Sequence, residues 1–301
     1  MSFQGVLVPV LTPFKANLKP DAEKFAALCR AILDQGAGGL AVFGTTSEAN
    51  SLSAEERMGL LEVLIGSGIP AARLMPGTGA CALPEAIRTT GHAVSLGCGG
   101  VLLLPPFYYK GVSDDGIYAF VDGLIQGVGS SDLRVYLYHI PPVAQVGYSV
   151  DLVGRLHGAH PGTVVGLKDS SGDWSNTAAL LAAYPDMEIF PGSEVFLLDA
   201  LRAGGAGCIT ATANMNVPMI AASYATWRDD GADDRQAAIT RIRETVQGTA
   251  PMVPLMKAYL ALKTGDPGWA TVRPPMVPVT EAVARELDAK LAVLGYQFPG
   301  I

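Results

Sequence analysis

The stretch Thr163–Trp174, T-V-V-G-L-K-D-S-S-G-D-W, decides how the rest of the chain is interpreted. Residues 163–167 form a β-branched and apolar run that is typical of a buried strand. Lys168 ends this run, and residues 169–173 supply turn and helix-start residues. Because burying an ammonium ion is costly, a lysine at the end of a buried strand indicates a function rather than packing.

Lys168 differs from the other seven of the eight lysines, because it alone follows a strand-like apolar run without a break. Desolvation at this position would lower its pKa and leave part of the amine neutral, as an amine nucleophile requires. The alternative is a lysine just past the strand that is solvated or paired with Asp169. The stretch by itself leaves both interpretations open.

Composition limits the class of protein. With 301 residues, 49% of them apolar, the chain can bury a large core in one large domain or two ordinary ones. A net charge of −7 and a pI near 5.1 argue against nucleic acid or an anionic membrane as partner. No apolar run is long enough for a membrane span, and no secretion leader or C-x-x-C pair is found. We expect a cytoplasmic protein with reduced thiols.

Short apolar runs alternate with helical patterns along the first two thirds of the chain, at a spacing of about 30 residues. Asp21, Ser53 and Ser113 are candidate helix N-caps between them. This pattern predicts an α/β fold, a (β/α)₈ TIM barrel over residues 1–215, with a helical extension of the same domain over residues 216–301. The runs are 5–11, 39–43, 73–77, 100–104, 134–138, 163–167, 187–190 and 207–211.

Polar residues follow five of these runs, and in a barrel they would meet at one end, where barrel active sites lie. This convergence favours a functional Lys168. The candidates are Thr45 and Thr46, Tyr108 and Tyr109, Tyr138 and His139, Lys168, and residues 192–194.

These residue types suit the chemistry of a 2-oxo acid. A neutral lysine forms a Schiff base with a ketone, and the protonated imine stabilises a carbanion at the neighbouring carbon. Tyr138 is the best candidate for the hydroxyl acid and base that this requires. Thr45 and Thr46 could offer N–H and hydroxyl groups to a carboxylate. The alternatives are a Tyr138 that packs in the barrel and an ordinary turn at the threonines.

Other chemistries lack their motifs. The four histidines show no metal-ligand spacing, so we predict no metal site and no cofactor beyond the covalent imine on Lys168. Neither a phosphate-binding glycine loop nor a G-x-S-x-G elbow is present.

Four motifs together resemble the dihydrodipicolinate synthase and N-acetylneuraminate lyase family, the class I aldolases that act on pyruvate. They are Gly44–Glu48, Tyr138–Pro141, Gly166–Asp169 and Gly207–Asn214, and the resemblance covers nearly the whole chain. It implies a lyase that is a homotetramer, a dimer of dimers, with a 2-oxo acid substrate.

The resemblance also implies roles for single residues. Lys168 would form the Schiff base, Tyr138 would transfer protons, Thr45 would join a hydroxyl relay and Thr46 would bind the substrate carboxylate. Tyr109, or alternatively Tyr108, would complete that relay across a dimer interface. The backbone carbonyl of Ile209 would line the pocket, and Ser47 and His139 stand at further positions of the family's substrate-binding motifs.

The sequence departs from the family's pattern at two single residues and in one short segment. Ser47 replaces a glycine of the usual G-T-T-G-E, and His139 replaces the commoner asparagine. Residues 142–147 hold no arginine, although members that make dihydrodipicolinate carry one there for the carboxylate of aspartate semialdehyde. We therefore expect a related lyase or aldolase with a less acidic second substrate, such as a 2-keto-3-deoxy sugar acid or a neutral aldehyde partner.

Three alternatives stay open. The first is 4-hydroxy-tetrahydrodipicolinate synthase itself, acting on pyruvate and aspartate semialdehyde. The second is a dehydratase or deaminase that uses the same Schiff base. The third is a protein that binds a 2-oxo acid or sugar acid without turning it over, although plain binding requires no desolvated lysine.

Overall fold

In the computed structural model, which describes residues 2–301, short parallel strands form two sheets. The strands are β1 (Gly5–Val8), β2 (Gly39–Leu40), β3 (Val101–Leu103), β4 (Val135–His139), β5 (Val164–Asp169), β6 (Glu188–Pro191) and β7 (Gly207–Ile209). The order is β2-β1-β7 in one sheet and β3-β4-β5-β6 in the other.

The two sheets are joined along both edges. On one side, residues 74–77 lie between β2 and β3, and Leu74 pairs with Leu40 while Gly77 pairs with Leu102. On the other side, the Ala206 N–H donates to the Ile189 carbonyl across 3.0 Å and links β6 to β7. With residues 74–77 counted as a minimal strand, eight parallel segments close into a barrel, as predicted.

Helices follow the strands on the outside of the barrel. They are α1 (Ala22–Asp34), α2 (Ala54–Gly66), α3 (Leu83–Ser95), α4 (Asp114–Val128), α5 (Pro141–Ala144), α6 (Val150–Ala159), α7 (Trp174–Ala183), α8 (Leu197–Arg202) and α9 (Ala213–Ala225). The extension adds α10 (Ala232–Gln247), α11 (Met252–Thr264) and α12 (Glu281–Val293). Helix α9 crosses the predicted division at 215/216, and its backbone is kinked there by the non-helical conformation of Asn216.

Local capping explains where the helices begin. Asp21 caps α1 and Ser113 caps α4, each by accepting a backbone N–H with its side chain. Ser53 and Glu56 form a complete capping box at α2. The helix starts predicted at these residues are therefore confirmed.

Strands β1, β2, β3 and β7 are shorter than predicted, β4 and β6 have the predicted length but begin one residue later, and β5 is longer. Residues 41–43 and 210–211 lie outside β2 and β7 because the chain bends there into the loops that form the barrel mouth. Asp169, predicted as a turn residue, belongs to β5 because it pairs with His139 and Pro191. A glycine is required within β5, since a Cβ at Gly166 would lie 2.5 Å from the Tyr136 ring.

The core has two parts that meet at the strands. Inside the barrel, buried side chains include Leu7, Met75, Leu102, Tyr136 and Phe190. A larger apolar layer lies between the strands and the surrounding helices. Tyr138 belongs to the inner part, so the barrel interior is filled by side chains below the mouth.

The extension is joined to the barrel by a buried ion pair. Lys257 of α11 and Glu48, which follows β2, are both fully buried in their side chains, and Nζ lies 2.5 Å from the carboxylate. The other Glu48 oxygen accepts the Arg273 N–H at 3.0 Å. This pair joins the extension directly to the loop after β2.

None of the helices over residues 2–301 combines the length and apolar character that crossing a membrane requires.

Candidate active site

Lys168 lies in the barrel wall at the carboxyl end of β5, between Tyr138 of β4 and Phe190 of β6. It is 4% exposed, and its Nζ lies 4.4 Å from the centroid of the Tyr138 ring. Within residues 2–301, no carboxylate lies within 4.0 Å of this amine. A buried amine without an ion-pair partner has the surroundings that a nucleophile needs.

Asp169 directs its carboxylate away from Lys168. Its two oxygens accept the Ser171 N–H, the Asn176 side-chain amide and the Thr177 hydroxyl, at 2.7–2.9 Å. These contacts fix the loop after β5 and the start of α7. The interpretation of Lys168 as the ion-pair partner of Asp169 is therefore wrong.

Tyr138 is 3% exposed, and its hydroxyl lies 3.2 Å from the Thr45 hydroxyl. Either hydroxyl can donate the hydrogen bond between them. Because its ring also contacts Lys168, Tyr138 connects the amine to a hydroxyl that lies on the exposed side of the site. This arrangement suits proton transfer.

The loop that carries Thr45 and Thr46 is held from both ends. Phe43 and Glu48 adopt left-handed backbone conformations, with φ of 59° and 58°. The Ser47 hydroxyl donates to the Val10 carbonyl at 2.5 Å. Ser47 does not adopt positive φ, so this position does not require the glycine that the family usually has.

Several donors of this loop have no protein acceptor. Within residues 2–301, neither the backbone N–H groups of Thr45 and Thr46 nor the Thr46 hydroxyl makes a hydrogen bond. Thr46 is nevertheless 7% exposed. These unpaired donors are therefore available to an anionic ligand.

A cavity of about 1000 Å³ opens at the barrel mouth and brings four of the predicted residues together. They are Thr45, Thr46, Tyr138 and Lys168. The remaining wall comes from the loops after β4, β5 and β6, from single residues after β1 and β7, and from the extension, where Arg243, Glu244 and Gln247 of α10 line it. The extension therefore takes part in the site.

The other four predicted site residues do not line this cavity. Ser47 is fully buried with its hydroxyl bound to Val10, so it fixes the loop. Ile209 is fully buried in the inner core beside Tyr138. Tyr109 is 71% exposed and lies against Tyr108 with ring centroids 5.3 Å apart, so its predicted role depends on a second subunit.

His139 is held as a neutral acceptor. Its Nδ1 accepts the Tyr148 N–H at 2.9 Å, so that nitrogen carries no proton. Burial lowers the pKa of His139 from its ordinary value, and the nearby Asp169 carboxylate opposes that shift. In this position the ring supports the loop after β4 and makes no contact with the cavity.

A buried polar network beneath the cavity was not predicted. The Glu194 carboxylate, fully buried, accepts the hydroxyls of Thr210 and Thr212. Arg243 Nη1 donates to Thr210 at 3.2 Å and lies 3.6 Å from Glu194. Glu194 carried a sequence signal because it follows a predicted strand, and Thr210 and Thr212 carried one because they lie in the Gly207–Asn214 motif. Arg243 lies in a helix whose docking the sequence does not reveal.

The prediction of no metal site stays a prediction. Among residues 2–301, no group of three or more histidine, cysteine, aspartate or glutamate side chains could hold a metal ion.

The sequence pattern of the Dihydrodipicolinate synthetase family matches residues 2–294. The chain belongs to this family. An uncharacterised DapA-like lyase of Chloroflexus aurantiacus is 33% identical over 288 residues, with 95% of each chain covered. A 4-hydroxy-tetrahydrodipicolinate synthase of Acidiphilium cryptum is 29% identical, with 97% of this chain and 99% of the relative covered.

Solved structures agree with the fold. The dihydrodipicolinate synthase of Agrobacterium tumefaciens superposes with a TM-score of 0.90 at 33% identity, over 98% of this chain and 100% of its own. YagE, a prophage protein of Escherichia coli solved in complex with pyruvate, gives 0.88 at 26% identity, over 98% and 99%. The predicted family, the TIM barrel and the assignment as an enzyme of this family, a lyase, are confirmed.

Proposed function

We propose that the protein is a Schiff-base lyase or aldolase that makes or splits a 2-oxo acid through an imine on Lys168. What supports this most is one arrangement: a buried lysine without an ion-pair partner, in contact with a tyrosine that reaches a threonine hydroxyl. The relative from Escherichia coli that was solved with pyruvate adds support for a pyruvate-type donor.

Imine formation assigns a task to each residue. The Lys168 amine attacks the keto carbon, and the carbinolamine loses its hydroxyl as water after Tyr138 donates a proton to it. Thr45 returns a proton to Tyr138 through their 3.2 Å contact. The free donors of Thr46 and its neighbour hold the substrate carboxylate.

The protonated imine then draws electrons from the adjacent carbon. In the cleavage direction a base accepts the proton of the C4 hydroxyl, the bond between C3 and C4 of the 2-oxo acid breaks, and an aldehyde leaves. The electron pair of the broken bond forms an enamine with the imine. The enamine is then protonated at C3, and water hydrolyses the resulting imine to release the shortened 2-oxo acid and the lysine. Synthesis is the reverse. No redox partner is needed, because the steps together change no oxidation state overall.

A second substrate that is less acidic than aspartate semialdehyde fits the charges of the cavity. Residues 142–147, at the edge of the mouth, supply no cation. Arg243 is balanced by Glu194, and Glu244 adds a further carboxylate. The alternative, 4-hydroxy-tetrahydrodipicolinate synthase, is supported by the names of several relatives.

The remaining parts of the proposal concern assembly and compartment. We propose a cytoplasmic homotetramer, a dimer of dimers, in which the exposed Tyr109 of one subunit extends the hydroxyl relay of its neighbour. An elimination on the same imine, as in a dehydratase or deaminase, shares every step up to the protonated imine. A non-catalytic binder would not need the arrangement of Lys168, Tyr138 and Thr45.

The test combines chemical trapping with product analysis. Borohydride added with pyruvate should inactivate the protein and increase its intact mass by one reduced pyruvyl group, whereas borohydride alone should do neither. Products from 2-keto-3-deoxy sugar acids are then identified by NMR. Pyruvate release indicates aldol cleavage, and a 2-oxo acid with its carbon chain intact indicates elimination. If neither pyruvate nor longer 2-oxo acids give an adduct, the proposal fails and the alternative of a non-catalytic binding protein is favoured.

A further inference from the structure

Arg243 is the one guanidinium that lines the cavity within the part of the chain that the structure describes. It comes from α10, which lies in the extension outside the barrel strands. Although it is only 8% exposed, it borders the same space as Lys168 and Thr46. A buried arginine at the wall of a substrate cavity suggests contact with a ligand.

Most of the guanidinium is already fixed by the protein. Nη1 donates to the Thr210 hydroxyl at 3.2 Å and lies 3.6 Å from Glu194, while Nε donates to Gln247 at 3.4 Å. Within residues 2–301, Nη2 makes no hydrogen bond. The group is therefore held rigidly, balanced in charge, and left with one nitrogen free to donate.

This geometry suits a hydroxyl group better than a carboxylate. A carboxylate is bound most strongly by two parallel N–H donors of a guanidinium, and here one edge of the fork is occupied. Glu244 of the same helix also lines the cavity, so it would repel an anion but could accept a hydrogen bond. A hydroxyl both donates and accepts, and can use both residues.

The neighbouring loops add to this polar wall. Ser170 and Ser171 after β5 and Ser193 after β6 all line the cavity. They are half-buried and uncharged, as a site for a hydroxylated chain requires. No lysine joins Arg243 on this wall within the described residues, apart from Lys168 itself.

We infer that Arg243 is a specificity-determining residue that binds a hydroxyl of the second substrate, and that this substrate is a neutral, hydroxylated aldehyde. This inference rests on the proposed function, because it assumes that a 2-oxo acid is held on Lys168. It assigns the selection of the second substrate to the C-terminal extension rather than to the loop after β4.

The test compares Arg243→Lys with the wild type. Lysine keeps a positive charge beside Glu194 but removes the planar fork and its Nη2 donor. The matched control is Arg241→Lys, two residues earlier on α10 and exposed. Each protein is assayed for condensation of pyruvate with glyceraldehyde, with propanal, which lacks the hydroxyls, and with succinic semialdehyde, which carries a carboxylate.

We expect the wild type to prefer glyceraldehyde to both other aldehydes. Arg243→Lys should lower kcat/KM for glyceraldehyde by roughly ten- to a hundredfold, the effect of a hydrogen bond to a charged group, and leave propanal nearly unchanged. Arg241→Lys should change neither. If Arg243→Lys does not fold, the double variant Arg243→Met with Glu194→Gln is assayed in its place. This variant removes both buried charges together, so neither is left without its partner.

Three outcomes would overturn the inference. Equal losses for glyceraldehyde and propanal would mean that Arg243 only shapes the cavity. A wild-type preference for succinic semialdehyde that disappears in Arg243→Lys would make it a carboxylate clamp. A pyruvate adduct without turnover of any aldehyde would exclude this second substrate. Borohydride trapping of each protein separates these results from failure of the proposed function, in which the wild type forms no adduct.

Discussion

Lys168 and Lys257 are both buried lysines whose amines lie 4.4 Å from an aromatic ring centroid, yet their surroundings differ in one respect. Lys257, over Phe14, contacts the Glu48 carboxylate at 2.5 Å, whereas Lys168, over Tyr138, has no carboxylate within ion-pair distance in the described residues. Burial lowers the pKa of Lys257 from its ordinary value, and Glu48 opposes that shift. The comparison suggests that pairing, rather than burial alone, separates a structural lysine from a reactive one.

The largest expected effect is on turnover. Lys168→Met should reduce activity on the order of a millionfold, as removal of a covalent nucleophile does, because no imine can form. Its free energy of unfolding should stay equal to the wild type or rise, since an unpaired buried amine is replaced by an apolar side chain. Steady-state kinetics and urea denaturation measure the two quantities. Retention of full activity would contradict the role of Lys168.

Tyr138→Phe should slow turnover by roughly two to four decades, the usual range for a lost general acid and base. The ring stays in place over Lys168, so only the hydroxyl is tested. Thr45→Val removes the partner at 3.2 Å and should have a smaller effect in the same direction. The rate of borohydride-sensitive adduct formation with pyruvate checks both variants. If Tyr138→Phe forms the adduct at the wild-type rate, proton transfer follows another route.

Lys257→Met should destabilise the fold by about 3–5 kcal/mol, because Glu48 would be left buried without its partner. Adding Glu48→Gln should recover much of the loss, since both charges then disappear together. Urea denaturation of the two variants beside Lys168→Met gives the comparison directly. Equal stabilities for Lys257→Met and Lys168→Met would remove the distinction between the two lysines.

The smallest effect concerns His139, a half-buried base. The pKa of His139 in the folded protein lies below its ordinary value near 6.5. At pH values between these two pKa values, the unfolded chain therefore binds more protons than the folded protein. Stability from this residue is therefore complete above about pH 6.5 and is lost as pH falls towards the folded pKa. His139→Asn should reduce the loss of Tm between pH 7.5 and pH 5.5 by a few degrees at most. If the loss of Tm between pH 7.5 and pH 5.5 is the same in His139→Asn as in the wild type, His139 is not its cause.

The sequence was sufficient for the parts of the site that lie at strand ends. Lys168, Tyr138, Thr45 and Thr46 were predicted together because parallel strands bring their carboxyl ends to one mouth. The third strand could be placed only roughly, since residues 74–77 pair through single bridges. Its apolar run gave no indication that so few of its residues would pair with the neighbouring strands.

The parts that were not predicted depend on distant contacts. Lys257 and Glu48 are 209 residues apart, and an apolar run on α11 does not reveal which carboxylate it will meet. Arg243 reaches the cavity because α10 packs back over the barrel mouth. Ser47, in contrast, was assigned to substrate binding because of its place in a motif, whereas its hydroxyl donates to the backbone carbonyl of Val10, just after β1.

The most direct test is to locate the adduct among the eight lysines. The protein is reduced with borohydride in the presence of pyruvate, digested, and mapped by peptide mass spectrometry. The difference between the two buried lysines predicts a reduced pyruvyl group on Lys168, with Lys257 unmodified. An adduct on Lys257 or on a surface lysine, with Lys168 free, would contradict the account.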